Sequence, residues 1–256
     1  MSRAWAEGRT ALITGATSGF GAAFARRVLD AGGRVIATGR RTERLSELEA
    51  SSGSDRLIAR RLDLRSADAA AQLLSDLPAS FRSIDILFNS AGLALGLAKA
   101  QDADLADWET MIETNITGLA RITRAVLPGM VARNRGDVLN MASVAASYPY
   151  PGANVYGATK AFVRQFSLNL RADLVGTSIR VTSIEPGMCE TEFSLVRFKG
   201  DAAAAAKVYE GMQPLTAEDI ATTLEAVLRL PSNINVNALE LMPVRQAFGP
   251  FALARG

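Results

Sequence analysis

Tyr156 and Lys160 stand four residues apart in Tyr156-Gly-Ala-Thr-Lys160, a spacing that stacks both on one face of a helix. A free phenol titrates near pH 10 and is a poor acid–base catalyst at neutral pH unless nearby positive charge stabilises its anion. Lys160 would provide that charge. Ser143 lies thirteen residues upstream at the end of an apolar segment, and Asn115 sits in the helical stretch Glu113-Thr114-Asn115-Ile116. Singly, each has a plain structural reading. Tyr and Lys share many helix faces by chance, a Ser at a strand end caps a turn, and a helical Asn belongs to the surface. The chain has no histidine, which removes Ser-His-Asp and Cys-His nucleophilic schemes and His-based metal sites; no metal is expected.

A second constellation could hold a nucleotide. Thr14-Gly15-Ala16-Thr17-Ser18-Gly19-Phe20-Gly21 follows the first apolar segment and opens the first helical one. Glycines there allow a tight turn and close approach of backbone to a pyrophosphate, and the helix N-terminus supplies donors and partial positive charge. At the end of the second apolar segment, Gly39 occupies the position where an acidic side chain would hold an unphosphorylated ribose, and Arg40 and Arg41 follow. Two guanidinium groups suit a 2′-phosphate, so the cofactor is NADP(H) rather than NAD(H). Alternatively Arg41, with Arg44, merely begins a solvated helix face. Asp63-Leu64 and Asn89-Ser90-Ala91-Gly92 close the third and fourth segments, at strand ends where ligands collect in open α/β sheets. For Asp63 the alternative is a turn cap.

The elements needed to position these groups are legible as alternation. Short β-branched, apolar runs (Thr10–Thr14, Arg34–Thr38, Leu57–Leu62, Ile84–Phe88, Val138–Ala142, Ile179–Ile184, Ala238–Met242) are separated by amphipathic stretches. These include Gly21–Ala31, Arg41–Ala50, Ala67–Leu77, Asp107–Met130 and Tyr156–Val175. The pattern predicts an α/β fold, a doubly wound, Rossmann-like parallel sheet of about seven strands with helices on both faces. At 256 residues, 48% hydrophobic, and without repeats or linkers, a single domain over 1–256 is expected. Residues 187–216 read as a substrate loop or lid, and Phe248–Gly256 as a surface extension or subunit contact. Lys+Arg exceed Asp+Glu by only 28 to 26, which gives no electrostatic case for nucleic acid. One cysteine, Cys189, and no apolar run of membrane length point to a cytoplasmic protein without a membrane partner.

The glycine turn is Gly-x-x-x-Gly-x-Gly, and with Asn89-Ser-Ala-Gly92 and the ordered set Asn115, Ser143, Tyr156 and Lys160 the chain resembles the short-chain dehydrogenase/reductase family along essentially its whole length. The resemblance implies an oxidoreductase. Tyr156 would be the general acid/base and Ser143 would bond the same substrate oxygen. Lys160 would hold the nicotinamide ribose and lower the phenol's pKa, and Asn115 would help anchor a relay water. It further implies that Asp63, Leu64, Asn89, Ala91 and Gly92 face the adenine and ribose side. Pro186, Gly187 and Met188 would pack beside the nicotinamide, and Thr191 would meet its carboxamide. A helix-built homotetramer, or else a homodimer, is also implied.

Within that family, Val35-Ile-Ala-Thr-Gly-Arg-Arg-Thr-Glu-Arg-Leu45, Asp107-Trp-Glu-Thr-Met111, Asn154–Leu170 and Thr191-Glu-Phe-Ser-Leu-Val-Arg-Phe-Lys-Gly200 are similar to the bacterial NADP-dependent 3-hydroxy acid dehydrogenases. Those act on serine, allo-threonine and related hydroxy acids or the corresponding aldehyde acid; sulfoacetaldehyde reductases are similar too. Either substrate set ends in an anion and needs a cation. Arg197 is the first candidate and Lys199 the second, with hydroxyls from Tyr148 and Tyr150. Arg197 could instead be a solvated lid residue or an intersubunit ion pair, and Pro149-Tyr-Pro-Gly152 and Gly187-Met-Cys-Glu190 depart from the subgroup near the expected pocket. A reductase of uncharged carbonyls and a noncatalytic nucleotide-binding protein are the competing readings.

Overall fold

The computed structural model describes residues 4–249. Seven parallel strands lie in the order β3-β2-β1-β4-β5-β6-β7: β1 (Thr10–Thr14), β2 (Arg34–Gly39), β3 (Leu57–Arg61), β4 (Ile86–Asn89), β5 (Gly136–Met141), β6 (Ile179–Pro186) and β7 (Ala238–Leu241). The order reverses between β1 and β4, and at that switch point the loops from neighbouring strands part to leave a cleft.

Alternation within each strand sorts side chains to two faces. From β1, Ala11 and Ile13 enter one core with Phe24 and Val28 of α1 (Gly19–Asp30), Leu45 of α2 (Thr42–Ser52) and Ile220 and Leu224 of α9 (Ala217–Leu228). Leu12 enters the other core. There it joins Leu73 of α3 (Ala69–Ser75), Ile122 and Met130 of α5 (Leu119–Ala132) and Leu170 of α6 (Asn154–Asp173). With apolar layers on both faces, the strand ends are held in fixed register and the cleft between them is rigid at its base.

Two stretches differ from the sequence expectation. The segment expected as one helix from Asp107 to Met130 is α4 (Leu105–Ile112), a π-helical turn (Glu113–Gly118) and then α5. A π turn inserts one extra residue per turn and displaces its side chains from the surrounding helix faces. Gly118 makes room for it, since a Cβ there would lie 2.6 Å from the Leu64 Cβ. The irregular stretch 187–216 contains α7 (Phe193–Arg197) and α8 (Ala202–Lys207), the latter formed by the alanine run, whose propensity is the highest available. Asp201 caps it by accepting from the Ala204 amide. Of the C-terminal tail, residues 250–256 lie outside the described residues; Phe248 packs its ring 4.7 Å from that of Tyr148.

Candidate active site

A cavity of about 1340 Å³ opens along the C-terminal ends of the strands, from Arg40 and Asp63 at one end to Tyr156, Phe193 and Arg197 at the other. Drug-sized ligands occupy roughly 300–1,000 Å³, so a dinucleotide with a small second molecule fits this space.

The β1–α1 turn is built for close approach. Gly15 has φ +71° and Gly19 φ +51°, a region disfavoured for residues with a Cβ. A Cβ on Gly15 would lie 2.9 Å from the Ala91 Cα, and one on Gly21 would lie 2.4 Å from the Gly15 carbonyl oxygen. The Ser18 side chain caps no helix amide, and the first turn of α1 carries no acid, so its leading N–H groups are free to serve an anion. Gly21 itself does not line the cavity; it keeps the turn closed. Gly21→Ala is therefore expected to cost about 1–3 kcal/mol through forced backbone movement, seen as a lowered Tm and roughly tenfold weaker NADP+ binding by calorimetry. Unchanged values for both would contradict this reading of the turn.

The two arginines part company. Arg41 spreads its guanidinium over the Thr17 carbonyl (3.3 Å), the Thr17 hydroxyl (3.1 Å) and the Glu192 carboxylate (2.7 Å), tying the glycine turn to the segment that leads into α7. Glu192 is held below the usual carboxylate range, chiefly by that bond. Arg40 also lines the cavity; among the described residues no hydrogen bond or ion pair holds it, and its charge helps keep Asp63 ionised. Asp63 falls to about 2 because the Arg65 guanidinium grips it, with bonds of 3.0 and 2.7 Å. It also accepts from the Arg65 amide at 3.1 Å, so a turn-forming role coexists with its place in the cavity wall.

Seventeen of the positions expected to touch a cofactor line the cavity, among them Leu64, Gly92, Pro186, Gly187, Met188 and Thr191; Gly21 and Asn89 do not. The Asn89 amide points into the sheet, donating to Thr123 Oγ1 (2.9 Å) and Asn140 Oδ1 (2.8 Å). Asn115 is likewise turned inward, 1% exposed. Its Nδ2 donates to the Leu93 carbonyl (2.8 Å) and Thr159 Oγ1 (3.0 Å), and its Oδ1 accepts from the Leu93 amide (2.9 Å). Both side-chain N–H groups are thereby spent on clamping the β4 loop to α6.

Ser143, Tyr156 and Lys160 meet at the cavity wall. Ser143 accepts from the Ala145 amide at 3.1 Å and thus caps the turn after β5, while its hydroxyl donates to the Pro186 carbonyl at 3.4 Å. Lys160 Nζ donates to the Met141 carbonyl at 2.8 Å and stands 5.8 Å from the centre of the Tyr156 ring. Burial dominates both groups: the phenol is pushed up to about 12 and the ammonium down to about 8. Desolvation, which penalises each charged form, sets the direction of both shifts. What opposes the phenol's shift first is Arg197, followed by the Ser143 hydroxyl.

At the far end, Arg197 lies over both the Tyr156 ring (4.9 Å) and the Phe193 ring (5.0 Å) and donates to the Tyr150 hydroxyl at 3.0 Å. Lys199 is corrected by the structure: it pairs with Asp107 at 2.8 Å and does not line the cavity. Tyr148 keeps its ring in the wall, but its hydroxyl donates to Glu240 at 3.1 Å. Cys189 is raised to about 12 by burial, which leaves an unreactive thiol.

Sequence reasoning missed Tyr209 and Gln246. The Tyr209 hydroxyl accepts from Ser194 (2.7 Å) and donates to the Cys189 carbonyl (2.8 Å). Gln246 accepts from the Met188 amide at 2.8 Å, through space left by the missing Cβ of Gly187. Both brace the loop after β6 from far along the chain, and no local spacing signals either.

This geometry has known counterparts. The family model described as short chain dehydrogenase matches residues 9–201. NADP-dependent 3-hydroxy acid dehydrogenase YdfG of Salmonella typhi is 56% identical over 245 residues, 95% of this chain and 98% of that one. Serine 3-dehydrogenase of Rhizobium radiobacter is 55% identical over 246 residues, 96% and 98% of the two chains. Among solved structures, the closed form of serine dehydrogenase complexed with NADP+ superposes with a TM-score of 0.95 at 54% identity, covering 96% of this chain and all of that one. With the family model matched over residues 9–201 and relatives more than half identical over nearly the whole chain, the protein belongs to the short chain dehydrogenase family.

Proposed function

We propose that the protein is an NADP(H)-dependent oxidoreductase acting on a small 3-hydroxy acid of the serine, allo-threonine or 3-hydroxypropionate type, or on its carbonyl form. The observation that carries this reading is the placement of two cations, neither paired with a carboxylate among the described residues, at opposite ends of one cavity. Arg40 stands at the nucleotide end, and Arg197 stands over the Tyr156 ring at the other. Relatives named for NADP and for 3-hydroxy acid or serine substrates support the assignment.

Arg40 would meet the 2′-phosphate, the leading amides of α1 the pyrophosphate, and Thr191 the carboxamide. Lys160 would hold the nicotinamide ribose. The bound cofactor supplies or accepts the hydride. Tyr156 would exchange the proton at the substrate oxygen, Ser143 would bond that oxygen, and Arg197 would hold the substrate anion, with residues 187–216 as the lid that completes the pocket. Parallel assays of NADPH formation from L-serine, L-allo-threonine, 3-hydroxypropionate and isethionate test the reading. Turnover of the carboxylates supports it, preference for isethionate moves the substrate to sulfonates, and silence across the panel sinks it.

Losing a charged hydrogen-bond partner costs about 1.5–3 kcal/mol. Arg197→Met is accordingly expected to raise KM for the hydroxy acid by roughly ten- to hundredfold; an unchanged KM removes Arg197 from the anion site. A cytoplasmic setting and a homotetramer complete the proposal, the latter supported by the exposed apolar side chains of Leu105, Val131 and Val244. Light scattering is expected to give about four times the chain mass, and a monomer mass would refute the assembly.

A further inference from the structure

The segment that follows β7 returns to the cavity. Val244, Arg245 and Ala247 are exposed, whereas Gln246 turns inward, set by a turn in which its amide donates to the Pro243 carbonyl at 2.8 Å. Its side chain lies flat over Gly187: a Cβ on that glycine would stand 2.4 Å from Gln246 Oε1 and 3.1 Å from Nε2. From there Oε1 accepts from the Met188 amide at 2.8 Å. Pro186, Gly187 and Met188 in turn line the cavity beside Ser143, Tyr156 and Lys160.

Four bonds to the main chain fix these three residues. The Pro186 carbonyl accepts from the Ser143 hydroxyl at 3.4 Å. The Gly187 amide donates to the Leu241 carbonyl at 2.7 Å, and the Met188 carbonyl accepts from the Leu215 amide at 2.9 Å. The fourth, at the Met188 amide, is the one whose partner belongs neither to the main chain nor to the Ser-Tyr-Lys wall. A single side chain, reached from 58 residues further along the chain, therefore decides how this stretch faces the cavity.

We propose that Gln246 is a positioning residue: through the Met188 amide it sets where the nicotinamide ring lies against the Ser143 and Tyr156 wall, and so the distance the hydride crosses. The inference rests on the reading of the cavity as an NADP(H) site with the nicotinamide at this end. Without Gln246 Oε1 the Met188 N–H loses its partner, and the stretch shifts to find another. Hydride transfer is unforgiving of such a shift, since a misplacement of about 1 Å costs about 10²-fold in rate. The glycine turn and Arg40 hold the opposite end of the nucleotide and lie outside this contact, so affinity is kept while the ring is misplaced.

Gln246→Met keeps the length of the side chain and removes the acceptor. It is expected to lower kcat by about ten- to hundredfold while leaving the Kd for NADP+ within about threefold of the parent by calorimetry. With 3-hydroxypropionate deuterated at the alcohol carbon, the isotope effect on kcat is expected to exceed that of the parent, because hydride transfer has become slower than release. The emission of bound NADPH, which senses the surroundings of the ring without turnover, is expected to move toward that of the free cofactor. Gln246→Glu, which keeps an acceptor oxygen at the same reach, is expected to hold kcat within about threefold of the parent. Ordinary kcat in Gln246→Met, a loss of kcat with the isotope effect and emission unchanged, or a Gln246→Glu variant as slow as Gln246→Met each overturn the proposal and leave the hydroxy acid reading intact. Gln246→Ala is expected to behave as Gln246→Met does and answers in its place if that variant does not fold; failure of both to fold makes Gln246 a structural brace and also overturns the proposal. An unaltered protein that neither binds NADP+ nor turns over any hydroxy acid overturns both readings.

Discussion

Replacing Tyr156 by Phe is expected to leave NADP+ affinity within about twofold of the parent while lowering kcat by about 10²–10⁴-fold, the range that general acid–base assistance supplies. The change removes one oxygen. The ring itself is 8% exposed, packed against Phe193 at 5.6 Å between centres and beneath Arg197 at 4.9 Å, contacts that Phe keeps. The nucleotide end of the cavity, at Arg40, Thr17 and the leading amides of α1, lies apart from this position. Calorimetric titration with NADP+ beside steady-state turnover separates the two effects. Ordinary turnover in the variant would remove the phenol from the chemistry, whereas a parallel loss of affinity would give it a binding role instead.

The second large effect concerns which nucleotide the cavity takes. Arg40→Gln is expected to weaken NADP+ binding by about ten- to hundredfold, the cost of losing one charged hydrogen-bond partner, and to leave NAD+ binding nearly unchanged. Arg41→Gln should do less to the difference between the two nucleotides, because that guanidinium is already committed to Thr17 and Glu192. Dissociation constants for both nucleotides on both variants decide the matter. Equal losses for NADP+ and NAD+ in Arg40→Gln would show that the residue shapes the cavity without reading the 2′-phosphate.

The central strands were legible because fully buried parallel strands must be apolar along their length, and Thr10–Thr14 begins and ends where the composition says it should. The Tyr156 and Lys160 pairing was legible for the same local reason, one helix carrying both at a four-residue step. The π turn around Asn115 was not, since apolar side chains recur at helical steps straight through it and the feature that admits it is a contact between Gly118 and Leu64, remote in sequence. Asn89 and Lys199 were misread through non-local partners. Asn140 and Thr123 draw the first into the sheet, and Asp107 takes the second out of the pocket. The electrostatic setting of the phenol depends on burial and on the fold of α7 over α6, quantities that residue types alone do not carry.

Hydrogen is expected to pass between the carbon bearing the hydroxyl of a small acid and the nicotinamide held along this cavity. Supplying 3-hydroxypropionate deuterated at the alcohol carbon, with NADP+, and measuring the mass of the reduced cofactor shows whether it does. Reduced cofactor that carries the label is the predicted result; reduced cofactor without it, or none formed, would contradict the account.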